Sequence, residues 1–190
     1  MLEVGCGRGE LAARILAETS AELVALDQSE RMVELARARG VDARVGDVQA
    51  LPFPDSGFDC AVAAWMLYHV PDLDRGLSEL ARVVRPGGRL VAVTNSEDEL
   101  CELWAPFGER PKRSHPFSAE NGEPALRRHF ARVERRECRG TVTFADWDAA
   151  RAYVASSTTR AHLADELPRF EGPLVATRLS VVFVVETASP

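Results

Sequence analysis

The sequence predicts an α/β protein in which a doubly wound, mainly parallel sheet carries helices on both faces. Short apolar runs alternate with segments of helical period, which is typical of such sheets. Most runs end near glycine or polar residues, and open sheets of this class bind ligands at those strand ends. The chain has 190 residues, 46% of them hydrophobic, which suffices for one well-buried core. We therefore expect a single domain over residues 1–190.

The order of elements follows from the apolar runs and the helical periods between them. Strand-like composition is found in residues 2–4, 23–26, 43–45, 60–64 and 90–93. Ser29 can cap a helix that Gly40 ends, and a second helical stripe from Leu73 to Val84 stops at Pro86 and two glycines. These helices are expected to connect successive parallel strands.

The second half of the chain is less regular. Residues 97–104 predict a helix, and residues 105–124, rich in proline and charge, predict a loop. Residues 133–143 alternate like a half-exposed strand. The β-branched run 179–186 predicts a last strand inserted in the sheet.

Charge and cysteine content limit the function classes. A net charge of −6 and a pI near 5.3 oppose a phosphate-binding surface, so we expect no nucleic-acid partner. Four scattered cysteines without a CxxC pair fit free thiols in a reducing compartment better than disulfides or a metal site. No apolar run approaches the ~20 residues of a membrane span, and no signal segment is present. We expect a soluble, cytoplasmic protein without a metal.

The first candidate site is the glycine run directly after the first strand. Gly5, Gly7 and Gly9 let the backbone turn tightly against a ligand, and the following helix offers free N–H groups near Glu10. The alternative is a plain tight turn between a strand and a helix.

Two strand-end acids form the next candidates. Asp27 ends the second strand, where a carboxylate can accept both hydrogens of a ribose diol. Asp47 follows the third strand and could accept a hydrogen bond from an exocyclic purine amine, while Val48 and Leu51 cover a ring face. Each acid could instead be a turn or capping aspartate. Beyond Ala64, the bulky residues 65–69 can form the wall of a pocket, or belong to the core.

In combination, these segments resemble the class I S-adenosylmethionine-dependent methyltransferases. The group resembled is the small-molecule enzymes that include the ubiquinone and menaquinone methyltransferases, of methyltransferase type 11. The matching segments are LEVGCGRG, VALD, GDVQALPF, FDCAVAAWMLYHV and ELARVVRPGGRL, and they cover residues 1–95.

The resemblance implies a Rossmann-like, seven-stranded sheet, mostly parallel, with its last strand antiparallel. It also implies that Glu3 and the glycine loop hold the methionine end of the cofactor, Asp27 the ribose, and Asp47 with the Val48 amide the adenine, with Ala64 beside the methionyl group. The full expected set is Glu3, Gly5, Cys6, Gly7, Gly9, Asp27, Gln28, Asp47, Val48 and Ala64.

The implied activity is transfer of a methyl group from S-adenosylmethionine to a small-molecule acceptor, with S-adenosylhomocysteine as product. Residues 1–95 would bind the cofactor, and residues 96–190 would shape the acceptor pocket and add the final strands. Because the cofactor is already activated, positioning can supply most of the acceleration. A base is needed only if the acceptor must lose a proton, and the unranked candidates are Tyr68, His69, His115 and Glu120. An apolar or aromatic acceptor is suggested by Trp65, Met66, Trp104, Phe107 and Phe117.

Members of this family carry helices before the first motif, whereas this sequence starts inside the first strand, so those N-terminal helices are expected to be missing. A truncated chain, a partner, or a cover made by residues 105–139 would each account for this. Two other functions stay open. A nicotinamide-dependent oxidoreductase would show GxGxxG, but position 10 is Glu10. A non-catalytic cofactor-binding or scaffold protein could share the fold.

Overall fold

A computed structural model describes residues 1–108, 115–157 and 160–188. The strands are β1 Leu2–Val4, β2 Val24–Asp27, β3 Asp42–Val45, β4 Phe58–Ala64, β5 Val84–Asn95, β6 Arg132–Phe144 and β7 Leu174–Glu186. The helices are α1 Glu10–Glu18, α2 Glu30–Arg37, α3 Leu73–Val83, α4 Cys101–Trp104, α5 Gly122–Leu126 and α6 Trp147–Ala155. Short 3-10 turns cover Leu67–His69, Ala105–Phe107 and Ala161–Asp165.

The seven strands form one sheet in the order β3-β2-β1-β4-β5-β7-β6. The first five strands pair in parallel, whereas β7 is antiparallel to both β5 and β6. The expected seven-stranded, mostly parallel sheet with an antiparallel last strand is therefore confirmed.

Helices cover both faces of the sheet. On one face, Ala12 of α1 and Val33 and Ala36 of α2 pack on β2 and β3. On the other face, α3 and α5 pack against apolar side chains of β1, β4, β5 and β7, with Leu77 and Phe183 fully buried. The arrangement buries the central strands between two helical layers, whereas the edge strand β6 is mostly exposed. The carboxyl ends of the parallel strands are left as the place where loops can form a cleft.

Several boundaries differ from the sequence-based expectation, and the limits of two helices show the reason. The helix from Leu73 ends at Val83, and Pro86 lies within β5 rather than after a helix, because Val84 already pairs with Phe58 and a register shift follows. In the segment 97–104 only Cys101–Trp104 is helical, since the preceding residue, Leu100, has a left-handed φ of 56°.

None of the helices in the described ranges has the length and apolar character to cross a bilayer.

Candidate cofactor cleft and adjoining cavity

The carboxyl ends of four parallel strands border a cleft of about 650 Å³. Because β3, β2, β1 and β4 are neighbours in the sheet, the loops that follow them meet at one edge. The cleft is lined by Gly5, Leu26, Asp27, Gln28, Met32, Gly46, Asp47, Val48, Gln49, Trp65, Met66, His69, Val70 and Pro71. This set draws together residues from four separate segments of the sequence.

The loop after β1 can hold its path only with glycine at two of its positions. A Cβ on Gly5 would lie 2.5 Å from Cβ of Met66, and one on Gly9 would lie 2.7 Å from Cβ of Ala36. Both residues also have positive φ angles, of 65° and 75°, which favour glycine. Gly5 thus brings the backbone to the cleft, whereas Gly9 packs the start of α1 against α2.

Gly7 and Asp27 are joined by a hydrogen bond across the cleft edge. The Gly7 N–H donates to Oδ2 of Asp27 at 2.8 Å, and the Ser29 N–H donates to Oδ1 at 2.9 Å. A carboxylate has about four lone-pair directions, so roughly two remain for a ligand. Asp27 therefore shapes the glycine loop and keeps acceptor capacity toward the cleft.

Glu3 is a buried acid whose carboxylate is only partly satisfied. Its exposed fraction is 3%, and its Oε2 has no hydrogen-bond partner among the described residues. Burial raises the pKa of Glu3 to about 7, with a smaller contribution from the charge of Asp27 and an opposing one from a backbone hydrogen bond of Ala12. Buried polar atoms usually have partners, so this oxygen is suited to a ligand donor.

Cys6 lies between these groups but is not available as a nucleophile. It is 7% exposed, and burial, followed by the charges of Asp27 and Glu3, raises the pKa of its thiol to about 12. The thiol is thus protonated near neutral pH and contributes packing.

Asp47 is held in a turn by the residue two positions later. Its Oδ1 accepts the Gln49 N–H at 2.8 Å, and both carboxylate oxygens accept from Nε2 of Gln49, at 3.1 and 3.0 Å. The adjacent Val48 is 6% exposed and presents an apolar surface to the cleft.

The structure places half of the predicted cofactor residues on the cleft surface. Those on the surface are Gly5, Asp27, Gln28, Asp47 and Val48. The others lie behind it or beside it: Glu3, Cys6, Gly7, Gly9 and Ala64. Ala64 ends β4, where it pairs with Val93 of β5.

Six lining residues were not among the expected site residues: Leu26, Met32, Gly46, Gln49, Val70 and Pro71. Met32 follows the Ser29 cap by three residues, and its N–H donates to the Ser29 hydroxyl at 3.4 Å. Gln49 had a usable signal, because an aspartate side chain commonly accepts the backbone N–H two residues later, as Asp47 does here. Pro71 lines the cleft only because of the tertiary course of the chain after β4, which no local pattern predicts.

A second, smaller cavity of about 140 Å³ adjoins the end of β5. It is lined by Tyr68, Thr94, Asn95, Ser96, Glu97, Glu99, Leu100, Trp104, His115, Phe117, Tyr153 and Arg160. Of the apolar and aromatic residues predicted to contact an acceptor, Trp104 and Phe117 line this cavity, whereas Trp65 and Met66 line the larger cleft. Phe107 lies on neither surface and packs against Trp104 at a centroid distance of 6.2 Å.

Aromatic rings connect the cleft with the cavity. The Tyr68 ring lies 4.5 Å from that of His69, which lines the cleft, and 6.0 Å from that of His115, which lines the cavity. The Trp65 Nε1–H donates to Oδ1 of Asn95 at 3.0 Å. Trp65 has a φ of 53°, which is unusual for a residue with a bulky side chain. The fold therefore holds this indole between the cleft and the cavity at the cost of local backbone strain.

Glu120 is bound into the loop next to the cavity. It accepts from the Ser96 hydroxyl at 2.6 Å and from the Glu97 N–H at 3.1 Å. Burial acts to raise the pKa of Glu120, but hydrogen bonds from Ser96, Glu97 and Ser118 outweigh it, and the pKa is lowered. These contacts favour a structural role for Glu120 over that of a base.

Comparison with known proteins agrees with this geometry. Residues 2–92 match a family model described as a methyltransferase domain. The chain is 40% identical over 98 residues to 27-O-demethylrifamycin SV methyltransferase of Amycolatopsis mediterranei, covering 47% of this chain and 36% of that protein. It is 36% identical over 104 residues to a demethylmenaquinone methyltransferase of Desulfitobacterium hafniense, covering 49% of this chain and 41% of that protein. The chain thus covers well under two thirds of either relative.

Among solved structures, YcgJ from Bacillus subtilis superposes with a TM-score of 0.73 at 17% identity, covering 100% of this chain and 92% of that chain. This likeness shows the fold alone. Together, the domain match and the curated relatives confirm the resemblance to the S-adenosylmethionine-dependent methyltransferases of the ubiquinone and menaquinone group.

Proposed function

We propose that the protein transfers a methyl group from S-adenosylmethionine to a small-molecule acceptor, a proposal supported by the match of residues 2–92 to a methyltransferase domain and by the similarity to a demethylmenaquinone methyltransferase. The observation that carries this proposal is the buried Oε2 of Glu3, which has no hydrogen-bond partner among the described residues. Glu3 lies two residues before Gly5, which lines the cleft together with the strand-end residues Asp27 and Asp47. A buried acceptor of this kind fits a ligand that brings its own cationic donor.

The cleft fits the cofactor in size and in chemistry. Its volume of about 650 Å³ is within the range of roughly 300–1,000 Å³ common for small-molecule sites. Close backbone approach at Gly5 and the acceptors of Asp27 and Asp47 suit a polar nucleoside with an amino acid tail. When bound, S-adenosylmethionine supplies an activated methyl group on sulfur.

Each residue then has a defined binding task. Glu3 would accept hydrogen bonds from the amino group of the methionine end, and Asp27 would hold the ribose hydroxyls, with Gln28 beside it. Asp47 and the Val48 amide would hold the base. Gly7, Cys6, Gly9 and Ala64 act from behind the surface by fixing the loop, the start of α1 and the end of β4.

The acceptor is expected in the smaller cavity, which residues of the 96–190 half largely surround. Its aromatic lining suits a flat, apolar or aromatic molecule with polar substituents. Burial and the charge of Tyr153 raise the pKa of Tyr68, so its hydroxyl remains protonated and orients rather than deprotonates. Of the predicted bases that line this cavity, His115 is then the remaining candidate, and imidazole is the side chain that most often transfers protons in enzymes.

A cytoplasmic location and a single domain over residues 1–190 are part of this proposal. They are supported by four cysteines that are all free and by one continuous sheet whose strands run from Leu2 to Glu186.

The proposal is tested by transfer of a labelled methyl group. The protein is incubated with methyl-labelled S-adenosylmethionine and a panel of quinols and phenols, and label in the acceptor is counted. We expect turnover on at least one aromatic acceptor, reduced in Asp27→Asn at limiting cofactor and kept in Asp148→Asn, an exposed control on α6. Tight cofactor binding without transfer to any acceptor would favour the non-catalytic alternative.

A further inference from the structure

Gln49 connects the cleft to helix α3 through both its side chain and its backbone. Its Nε2 and backbone N–H donate to the Asp47 carboxylate at 2.8–3.1 Å. On the other side, its Oε1 accepts the Asp72 N–H at 3.0 Å, and its backbone oxygen accepts from Nε of Arg75 at 2.7 Å. We call the hydrogen bonds from Gln49 to the Asp47 carboxylate the Asp47 clamp. Because Asp72 is the N-cap of α3, Gln49 is anchored on a helix.

The two partners of the Gln49 amide fix its orientation. With Nε2 toward Asp47 and Oε1 toward the Asp72 N–H, every contact pairs a donor with an acceptor. The reversed amide would set an oxygen against the carboxylate and an NH₂ against an N–H. Gln49 is therefore held in one state, and it holds Asp47 in turn.

The clamp leaves a specific acceptor on Asp47. Of about four lone-pair directions on a carboxylate, two on Oδ1 are taken by the Gln49 backbone N–H and Nε2, and one on Oδ2 is taken by Nε2. One direction on Oδ2 remains. An exposed aspartate would otherwise rotate freely about its side-chain bonds, whereas this one presents a single acceptor beside the apolar surface of Val48.

We propose that Gln49 is a positioning residue that sets base specificity, by aiming the free Oδ2 acceptor of Asp47 at the exocyclic amine of a 6-aminopurine. A 6-oxopurine presents a carbonyl oxygen at the same position, which a fixed carboxylate repels. This inference rests on the proposed function, in which the cleft binds the S-adenosyl nucleoside.

The test is the ratio of dissociation constants for S-inosylhomocysteine and S-adenosylhomocysteine, measured by calorimetry. We expect the wild type to prefer the adenosyl compound and the ratio to fall about 2- to 10-fold in Gln49→Leu, the worth of one hydrogen bond. Gln49→Glu, of nearly identical shape, keeps an acceptor for Asp72 and loses the donor, so the same fall is expected there. Asp47→Ala should lower the ratio at least as far.

Arg75→Ala is the matched control, because it removes the backbone anchor of Gln49 and leaves the Asp47 clamp in place. We expect Arg75→Ala to leave the ratio at its wild-type value. If Gln49 only stabilised the loop, Gln49→Leu would also weaken both ligands equally and leave the ratio unchanged, which overturns the inference. If the wild type binds S-adenosylhomocysteine but Gln49→Leu leaves the ratio unchanged, this inference fails and the proposed function stands. A folded wild type that binds neither ligand overturns both.

Discussion

Glu3 is a carboxyl group held where water hardly reaches it, and its ionisation is therefore coupled to folding. Burial raises its pKa from 4.5 to about 7, so between these values the native protein keeps a proton that the unfolded chain has released. The contribution of Glu3 to the free energy of unfolding is thus most favourable below pH 4.5, and it falls as the pH rises to about 7.

Replacing Glu3 by Gln removes this titration. We expect the free energy of unfolding of Glu3→Gln, relative to wild type, to be higher at pH 8 than at pH 5, because only the wild type must then bury a charge. Urea denaturation at the two pH values measures the difference. A relative stability that does not change with pH would show that Glu3 titrates normally.

Asp27 serves the loop and the ligand at once, which decides the choice of variant. Asp27→Ala would also free the N–H groups of Gly7 and Ser29, whereas Asp27→Asn keeps an acceptor for one of them. Loss of a charged hydrogen bond to the ribose costs about 1.5–3 kcal/mol, so affinity for S-adenosylhomocysteine should fall roughly 10- to 150-fold in Asp27→Asn. Calorimetry on the two proteins measures this change, and equal affinities would exclude the ribose role.

At the scale of elements, helix α3 holds the segment that follows the Asp47 turn. Arg82 donates to the backbone oxygens of Leu51 and Phe53 and to the carboxylates of Asp55 and Glu79, and Glu79 accepts the Leu51 N–H at 2.7 Å. Hydrogen bonds and charges of both acids raise the pKa of Arg82, which stays charged. One side chain thus ties a helix to a loop without regular structure.

Arg82→Ala should therefore destabilise the protein by about 1.5–3 kcal/mol, because half-buried hydrogen bonds to a charged group are lost. Arg85→Ala is the control, since its ion pair with Asp59 joins two exposed side chains, and such pairs contribute little to stability. Urea unfolding of both variants compares the losses. Equal losses would mean that the Arg82 contacts do not hold the loop.

Local signals in the sequence predicted the helices and strands well. Pairing between distant residues explains the boundaries that were not predicted. Ser29 caps α2 as expected, because a cap depends on residues three positions apart. The helical stripe from Leu73 was predicted to reach Val84, one residue too far, because Val84 leaves α3 to pair with the distant Phe58. The β-branched run at the C-terminus was predicted as a strand, but its length to Leu174 reflects pairing with β6.

On the scale of the whole molecule, the cofactor cleft was more predictable than the cavity beside it. Strand ends of a parallel sheet meet at one edge, so Gly5, Asp27 and Asp47 could be placed together from the order of strands. The cavity joins the end of β5 to side chains such as Trp104 and Tyr153, far apart in the sequence. No periodicity or spacing relates such residues, and only packing brings them together.

The most direct test of the account is a calorimetric titration of the wild-type protein with S-adenosylhomocysteine at pH 8, where Glu3 is charged, alongside a titration with NAD. The cleft geometry predicts saturable binding of one S-adenosylhomocysteine per chain, and no binding of NAD. A folded protein that binds NAD and leaves S-adenosylhomocysteine unbound would contradict the assignment of the cleft.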